Sequence, residues 1–358
     1  MASTVGPRNS YLTYPHANGF YGGGRCVALG VYGSQPWIAG VDLHGGASEA
    51  LIGPEWFPQV GSGAVLWFDV ALDAEVLVSS WGGRVIARDL HGTAVDVAYE
   101  VPPGWELDGL CSISRDGARV LIVRRRAGVS EILEIERGTG RSRLVVSHGW
   151  YANHAHYCPH DEAWVAYSHE GPAGSVSDRV WAWHATAAPG GVNVVDQFRL
   201  ADPDGRAGGH VWLGHERWVF HDAAAVVVAY GDSPVGPRGV YLVHADGRAP
   251  VLVSRAVRDW HCGISRDGRA VVVDTTGLDG SPGRGWAGAD GQSSVVHIDR
   301  ATGVRTELAR TQVRDHPFHP HPCFTPDGAA VLYNAVERAA DGTVGRSVGS
   351  VAVPAASS

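Results

Sequence analysis

Charge is scarce in this chain: only 18% of its 358 residues are Asp, Glu, Lys or Arg, and no Lys/Arg-rich run stands out. The formal net charge is −8 and the pI near 6.1. The basic face that nucleic acid or an anionic membrane surface requires is therefore missing, and neither is expected as a partner. An anionic substrate would need a local positive centre, which a bound metal ion supplies. Methionine is down to one residue, while 48 glycines and 20 prolines argue for many turns and against long helices. No apolar run approaches the ~20 residues that cross a bilayer as a helix, and the polar stretch 1–18 has no signal-peptide core. The five cysteines (Cys26, Cys111, Cys158, Cys262, Cys323) are scattered, odd in number and without a Cys-x-x-Cys pair. That excludes a disulfide framework and a zinc knuckle. A cytoplasmic, soluble protein is expected.

What the chain does have is a repeated turn. Ser112-Ile113-Ser114-Arg115-Asp116-Gly117, Gly263-Ile264-Ser265-Arg266-Asp267-Gly268 and Cys323-Phe324-Thr325-Pro326-Asp327-Gly328 resemble one another, and each precedes an apolar run. Strand, Asp-Gly, strand is a hairpin signature. Weaker copies near Gly22–Gly24, Ala71–Asp73, His160–Glu162 and His215–Arg217 bring the turns to positions near 23, 73, 116, 161, 216, 267 and 327. Seven such turns, at intervals of 43 to 60 residues, predict an all-β fold, a single seven-bladed β-propeller over 1–358.

Histidine is the second surplus, at 18 residues, and three of these fall in His316-Pro317-Phe318-His319-Pro320-His321. Neutral imidazole is the commonest ligand for borderline transition metals. On extended backbone His319 and His321 leave the same face, and Pro320 confines such a strand to an edge or an opening. The cluster precedes the blade-seven turn, as His261, His210 and His154 precede those of blades six, five and four. A shared place in the repeat predicts convergence on the central channel.

Several segments together resemble the oligogalacturonate lyases, polysaccharide lyase family twenty-two. They are His319-Pro320-His321-Pro322-Cys323-Phe324-Thr325-Pro326-Asp327-Gly328, Ser168-His169-Glu170-Gly171-Pro172, Arg179-Val180-Trp181, Gly209-His210-Val211-Trp212 and Trp260-His261. The resemblance covers about the C-terminal two-thirds of the chain. It implies a cytoplasmic seven-bladed propeller that uses Mn²⁺ and cleaves short oligouronides by β-elimination. It further implies a metal held by His261, His316, His319 and His321, with His316 where the family usually has Gln. Four neutral ligands keep a site of net +2 and shift preference toward Zn²⁺, Co²⁺ or Ni²⁺. The resemblance puts the proton-abstracting histidine at His210, with His215 the nearest competitor, and a carboxylate-gripping arginine at Arg179. His154, His169 and Arg179 are expected on the substrate side, with His169 and Glu170 as a hydrogen-bonded pair. Ala173 departs from the family's usual Trp, which bears on the sugar subsite.

The chemistry is coherent on its own terms. The C5 proton of a uronide is acidified by the adjacent carboxylate, a divalent cation on that carboxylate stabilises the charge that develops, and a histidine has a pKa suited to take the proton. The expected partner is an acidic oligosaccharide, an oligogalacturonide or a glucuronate-containing one. Two other readings stand beside it: a non-catalytic TolB-like propeller for protein interaction, and a metal-dependent propeller hydrolase or lactonase. Sites of the last kind usually hold Ca²⁺ through oxygen ligands, whereas this cluster offers nitrogen.

Overall fold

The recurring Ser/Thr-x-Asp-Gly segments are turns with a shared chemistry. Ser114, Ser265 and Thr325 each donate a hydroxyl hydrogen bond of 2.6 Å to the Asp two residues on. The following Gly117, Gly268 and Gly328 have φ of 74°, 71° and 72°, a left-handed conformation that costs glycine little. Their N–H groups bond back to the Ser or Thr carbonyl at 2.8–2.9 Å. Each turn thus reverses the chain and pairs the strands on either side.

The computed structural model describes residues 3–58, 65–201, 208–275, 291–312, 316–338 and 344–354. These form seven antiparallel sheets in chain order, the blades of a seven-bladed β-propeller. Blade four is typical, with strands Ala152–Tyr157, Trp164–His169, Val180–His184 and Ala188–Asn193. Middle strands are buried on both faces between neighbouring blades, so they read as unbroken apolar runs. Ala224–Ala229 is buried at all six positions, and Val120–Val123 at all four. The ring closes where Ser3–Val5 pairs with Val344–Ala352 as the outer strand of blade seven. Asp69, buried, ties three blades together by accepting from the N–H groups of Asn18 (2.7 Å) and Ile113 (3.0 Å).

Six of the seven turns fall where the repeat puts them. Blade five differs: Leu213–Trp218 is strand throughout, and the reversal comes at 219–223, before Ala224–Ala229. His215–Arg217 is no turn because the register slips between Gly214 and Arg217, a bulge inside the strand. Blade four has the same slip between Asn153 and His156. The inner strand of blade one is cut in two, Ser10–Tyr11 and Phe20–Tyr21, and the segment 12–19 lies between the pieces.

Candidate metal centre and channel

The His316–His321 stretch is not an edge strand. It is irregular backbone ahead of the short strand Cys323–Phe324. Pro317, Pro320 and Pro322 have no N–H to give a ladder, and His321 sits at φ 43°. Asn334, fully buried, holds the segment instead. Its Nδ2 donates to the carbonyls of Pro317 (2.9 Å) and His319 (2.8 Å). Its N–H donates to Pro320 O at 2.7 Å, while its Oδ1 accepts from Leu12 N–H of blade one at 2.8 Å.

Held this way, His319 and His321 meet His261 of blade six, with candidate ligand atoms of the three within 4.8 Å of one another. Across a metal with ~2.1 Å bonds, opposite nitrogens stand about 4 Å apart, so a small inward movement closes the set. His316 is exposed, with its ring 4.1 Å from that of His319 and 5.2 Å from that of His321. His261 Nε2, His319 Nδ1 and both ring nitrogens of His321 are buried with no hydrogen-bond partner. Buried polar atoms are nearly always satisfied, so several orphaned imidazole nitrogens facing one point fit a cation. Burial, and then neighbouring imidazoles, push the pKa values of His261 and His321 well below the usual histidine range, and that of His319 down to about 3. All three are neutral at pH 7 with lone pairs to give.

Asp274, also fully buried, fixes the orientation of His261. Its Oδ2 lies 2.8 Å from His261 Nδ1 and its Oδ1 accepts the His261 N–H at 2.7 Å. It accepts the His321 N–H as well, at 3.2 Å. With its proton on Nδ1, His261 presents Nε2 to the metal. Carboxylate partners of this kind are worth about 10–100-fold in metal affinity. Asp274→Asn is therefore expected to weaken binding by that factor with the fold intact, measured by titrating the metal-free protein.

The left-handed residues include a histidine in each of three blades: His154 (φ 58°), His215 (φ 56°) and His321 (φ 43°). Such backbone costs a non-glycine residue about 1–3 kcal/mol and tends to mark functional sites. Here it swings each side chain out of the strand ladder. The His215 ring lies 4.0 Å from that of His261, beside Trp260 (4.9 Å) and Tyr230 (5.4 Å). Its Nδ1 is hydrogen-bonded to Trp260 O. A carbonyl only accepts, so Nδ1 carries the proton and Nε2 the lone pair. Burial pushes its pKa down to about 3.

The remaining expected residues divide. Arg179 is largely buried, with its Nη2 2.8 Å from Glu170 Oε1. His154 Nε2 lies 3.4 Å from the same carboxylate oxygen. His154, which meets Glu170, also packs on Tyr14 at 4.7 Å ring to ring, which places the Arg179–Glu170 pair beside the channel aromatics. His169 faces elsewhere: its Nδ1 is 2.8 Å from Asp178 and its ring stacks on Trp150 at 4.2 Å. His169, the last residue of its strand, and Glu170, just beyond it, take different partners, Asp178 and Arg179. His210 has its Nε2 3.0 Å from Ala173 O and its ring against Phe198 at 5.4 Å. Among the described residues, no ring contact joins it to the channel histidines. Sequence reasoning passed over Tyr14, Trp67, Asp274 and Asn334. Tyr14 lies against His154, His16 and His321 at ring distances of 4.7, 4.8 and 5.5 Å, and Trp67 lies 5.8 Å from His316.

No protein-family model and no curated protein matches the chain. Among solved structures, an oligogalacturonate lyase in complex with manganese superposes with a TM-score of 0.78 at 19% identity, over 99% of this chain and 93% of that one. An oligogalacturonate lyase from Vibrio parahaemolyticus gives 0.78 at 16% identity with the same coverage. A Mycobacterium tuberculosis puromycin-hydrolysing peptidase gives 0.61 at 14% identity, over 96% of this chain and 56% of that one. The seven-bladed fold, over nearly its whole length, is the one seen in oligogalacturonate lyases.

Proposed function

We propose that the protein is a divalent-metal-dependent lyase that cleaves uronate-containing oligosaccharides by β-elimination. The observation that carries this reading is the meeting, in one channel, of three neutral imidazoles with orphaned nitrogens and a fourth, His215, that holds a free lone pair. A bound divalent cation would neutralise the uronate carboxylate and so acidify C5. Mn²⁺ suits the role, and the nitrogen-rich set also accommodates Zn²⁺, Co²⁺ or Ni²⁺.

His261, His319 and His321 are the holding residues, with His316 beside them to complete the set. His215 is the base: its proton is fixed on Nδ1 by Trp260 O, so Nε2 is the atom that accepts. Its depressed pKa keeps it unprotonated across the physiological range. Arg179 is suited to a second carboxylate or a ring hydroxyl, because Glu170 orients its guanidinium from one side. The fold shared with two oligogalacturonate lyases supports an acidic oligosaccharide as substrate. The test is to incubate metal-loaded protein with a panel of oligogalacturonides and glucuronate-containing oligosaccharides and follow the ultraviolet absorbance of the 4,5-unsaturated product. Absorbance should rise on at least one uronide. No rise on any, with metal content verified, removes the lyase reading.

A further inference from the structure

Elimination needs an acid as well as a base, because the departing C4 oxygen is a poor leaving group unless it gains a proton. The histidines are badly placed to give one. The Nδ1–H of His215 is taken by Trp260 O, that of His261 is directed to Asp274, His319 and His321 are the candidate ligands beside it, and His154 turns its Nε2 to Glu170 at 3.4 Å. We infer that Tyr14 is the proton donor to the leaving oxygen, an assignment that rests on the lyase reading above.

The geometry behind this is the interrupted inner strand of blade one. The segment 12–19 leaves the ladder between Ser10–Tyr11 and Phe20–Tyr21 and carries the Tyr14 ring in among His154, His16, Trp67, His321 and His316, at centroid distances from 4.7 to 6.5 Å. Tyr14 is 8% exposed, and among the described residues its hydroxyl makes no hydrogen bond. Burial, and then the neighbouring Glu216 and Glu170 carboxyls, push the Tyr14 phenol well above its usual range, so it holds its proton at neutral pH. Tyr230, the other nearby phenol, is on the same blade as the base. Its ring packs on Trp260 at 4.8 Å and its hydroxyl closes onto Gly214, where an added side chain would collide with it. Blade one faces blade five across the ring, so Tyr14 and His215 reach a sugar between them from different walls.

The step balances. The C5–H bond breaks with its proton going to His215 Nε2, and its electron pair forms the C4=C5 double bond. The C4–O bond breaks with its pair going to the departing oxygen, which takes the phenolic proton of Tyr14. The phenolate then recovers a proton from the His215 imidazolium through solvent, and both side chains return to their starting state.

The test compares wild type with Tyr14→Phe on two substrates: an ordinary oligouronide, and a uronide bearing a nitrophenoxy group at C4, which leaves without protonation. Metal content and circular dichroism should be unchanged in the variant. Its kcat on the oligouronide should fall by about 10²–10⁴-fold, and its kcat on the aryl ether should stay within a few-fold of wild type. Equal losses on both substrates, or no loss on the oligouronide, would overturn the assignment while leaving the lyase reading intact. A wild type that cleaves neither substrate removes the lyase reading, and the assignment goes with it.

Discussion

His215→Ala should bind metal as the wild type does and lose about 10²–10⁴-fold in kcat on the best uronide, the usual worth of a positioned base. His210→Ala should lose far less. The contrast follows from where each ring nitrogen is spent. His215 donates Nδ1–H to Trp260 O and keeps Nε2 unpartnered among the described residues, 4.0 Å ring to ring from a candidate ligand. His210 points Nε2 at Ala173 O and packs on Phe198, so its remaining nitrogen would need a different substrate position. Neither change touches the trio His261, His319 and His321, so metal content separates loss of the base from loss of the site. Added imidazole should restore part of the rate to His215→Ala by entering the gap. If His210→Ala is the inactive variant and His215→Ala turns over normally, the two roles exchange.

The second large effect is on the metal itself. His321→Asn should abolish stoichiometric binding in a metal titration, and turnover with it. Asn is the conservative choice because it tolerates left-handed backbone, so φ of 43° remains comfortable. What is lost is a buried ring whose two nitrogens have no protein partner. For that reason the metal-free variant should be no less stable than metal-free wild type, within about 1 kcal/mol, since an unsatisfied buried imidazole contributes little to the apo fold. With metal the two should diverge. Wild type gains about 4 kcal/mol at a free metal concentration 1,000-fold above Kd by mass action, and the variant gains nothing. Paired melts with and without metal read both halves. Undiminished metal-induced stabilisation in His321→Asn would exclude His321 as a ligand.

How much of this was legible in the sequence depends on whether local chemistry or distant packing decided the position. The Asp-Gly turns are local, so blades three, six and seven announce themselves. Blade five was misplaced because its turn, in Phe220-His221-Asp222-Ala223, contains no glycine, while the His215–Arg217 bulge imitates a break. Clustering of His316, His319 and His321 was plain, but their backbone was not. The alternation read as a strand is overridden by three prolines and by Asn334, whose side chain is fixed by tertiary contacts. Asp274 and Asn334 did carry a signal. Folding the chain back about Asp267–Gly268 brings Asp274 opposite His261, consistent with the pairing of Cys262 with Val273. The same reflection about Asp327–Gly328 brings Asn334 opposite His321, consistent with Cys323 and Leu332. Hairpin register thus identifies the support of each histidine once the turn is known. Tyr14 had only part of such a route: Pro15 and the Asn18-Gly19 pair mark residues 12–19 as a break in a strand, but no local pattern says where the Tyr14 ring turns.

The seam of the ring has a consequence for assembly. Blade seven draws its outer strand from Ser3–Val5 and its other strands from the far end of the chain, and Leu12 N–H is fastened to Asn334 in the same blade. The candidate ligands come late in chain order, from blade six and the approach to blade seven. A nascent chain with its early blades formed has no place to capture a cation. The candidate trio comes together only once blade six and the approach to blade seven have folded, so metal uptake would report the folding of the last two blades. In the finished molecule an ion held there would tie blade six to the approach to blade seven beside the seam, and would add its binding free energy to the closed ring.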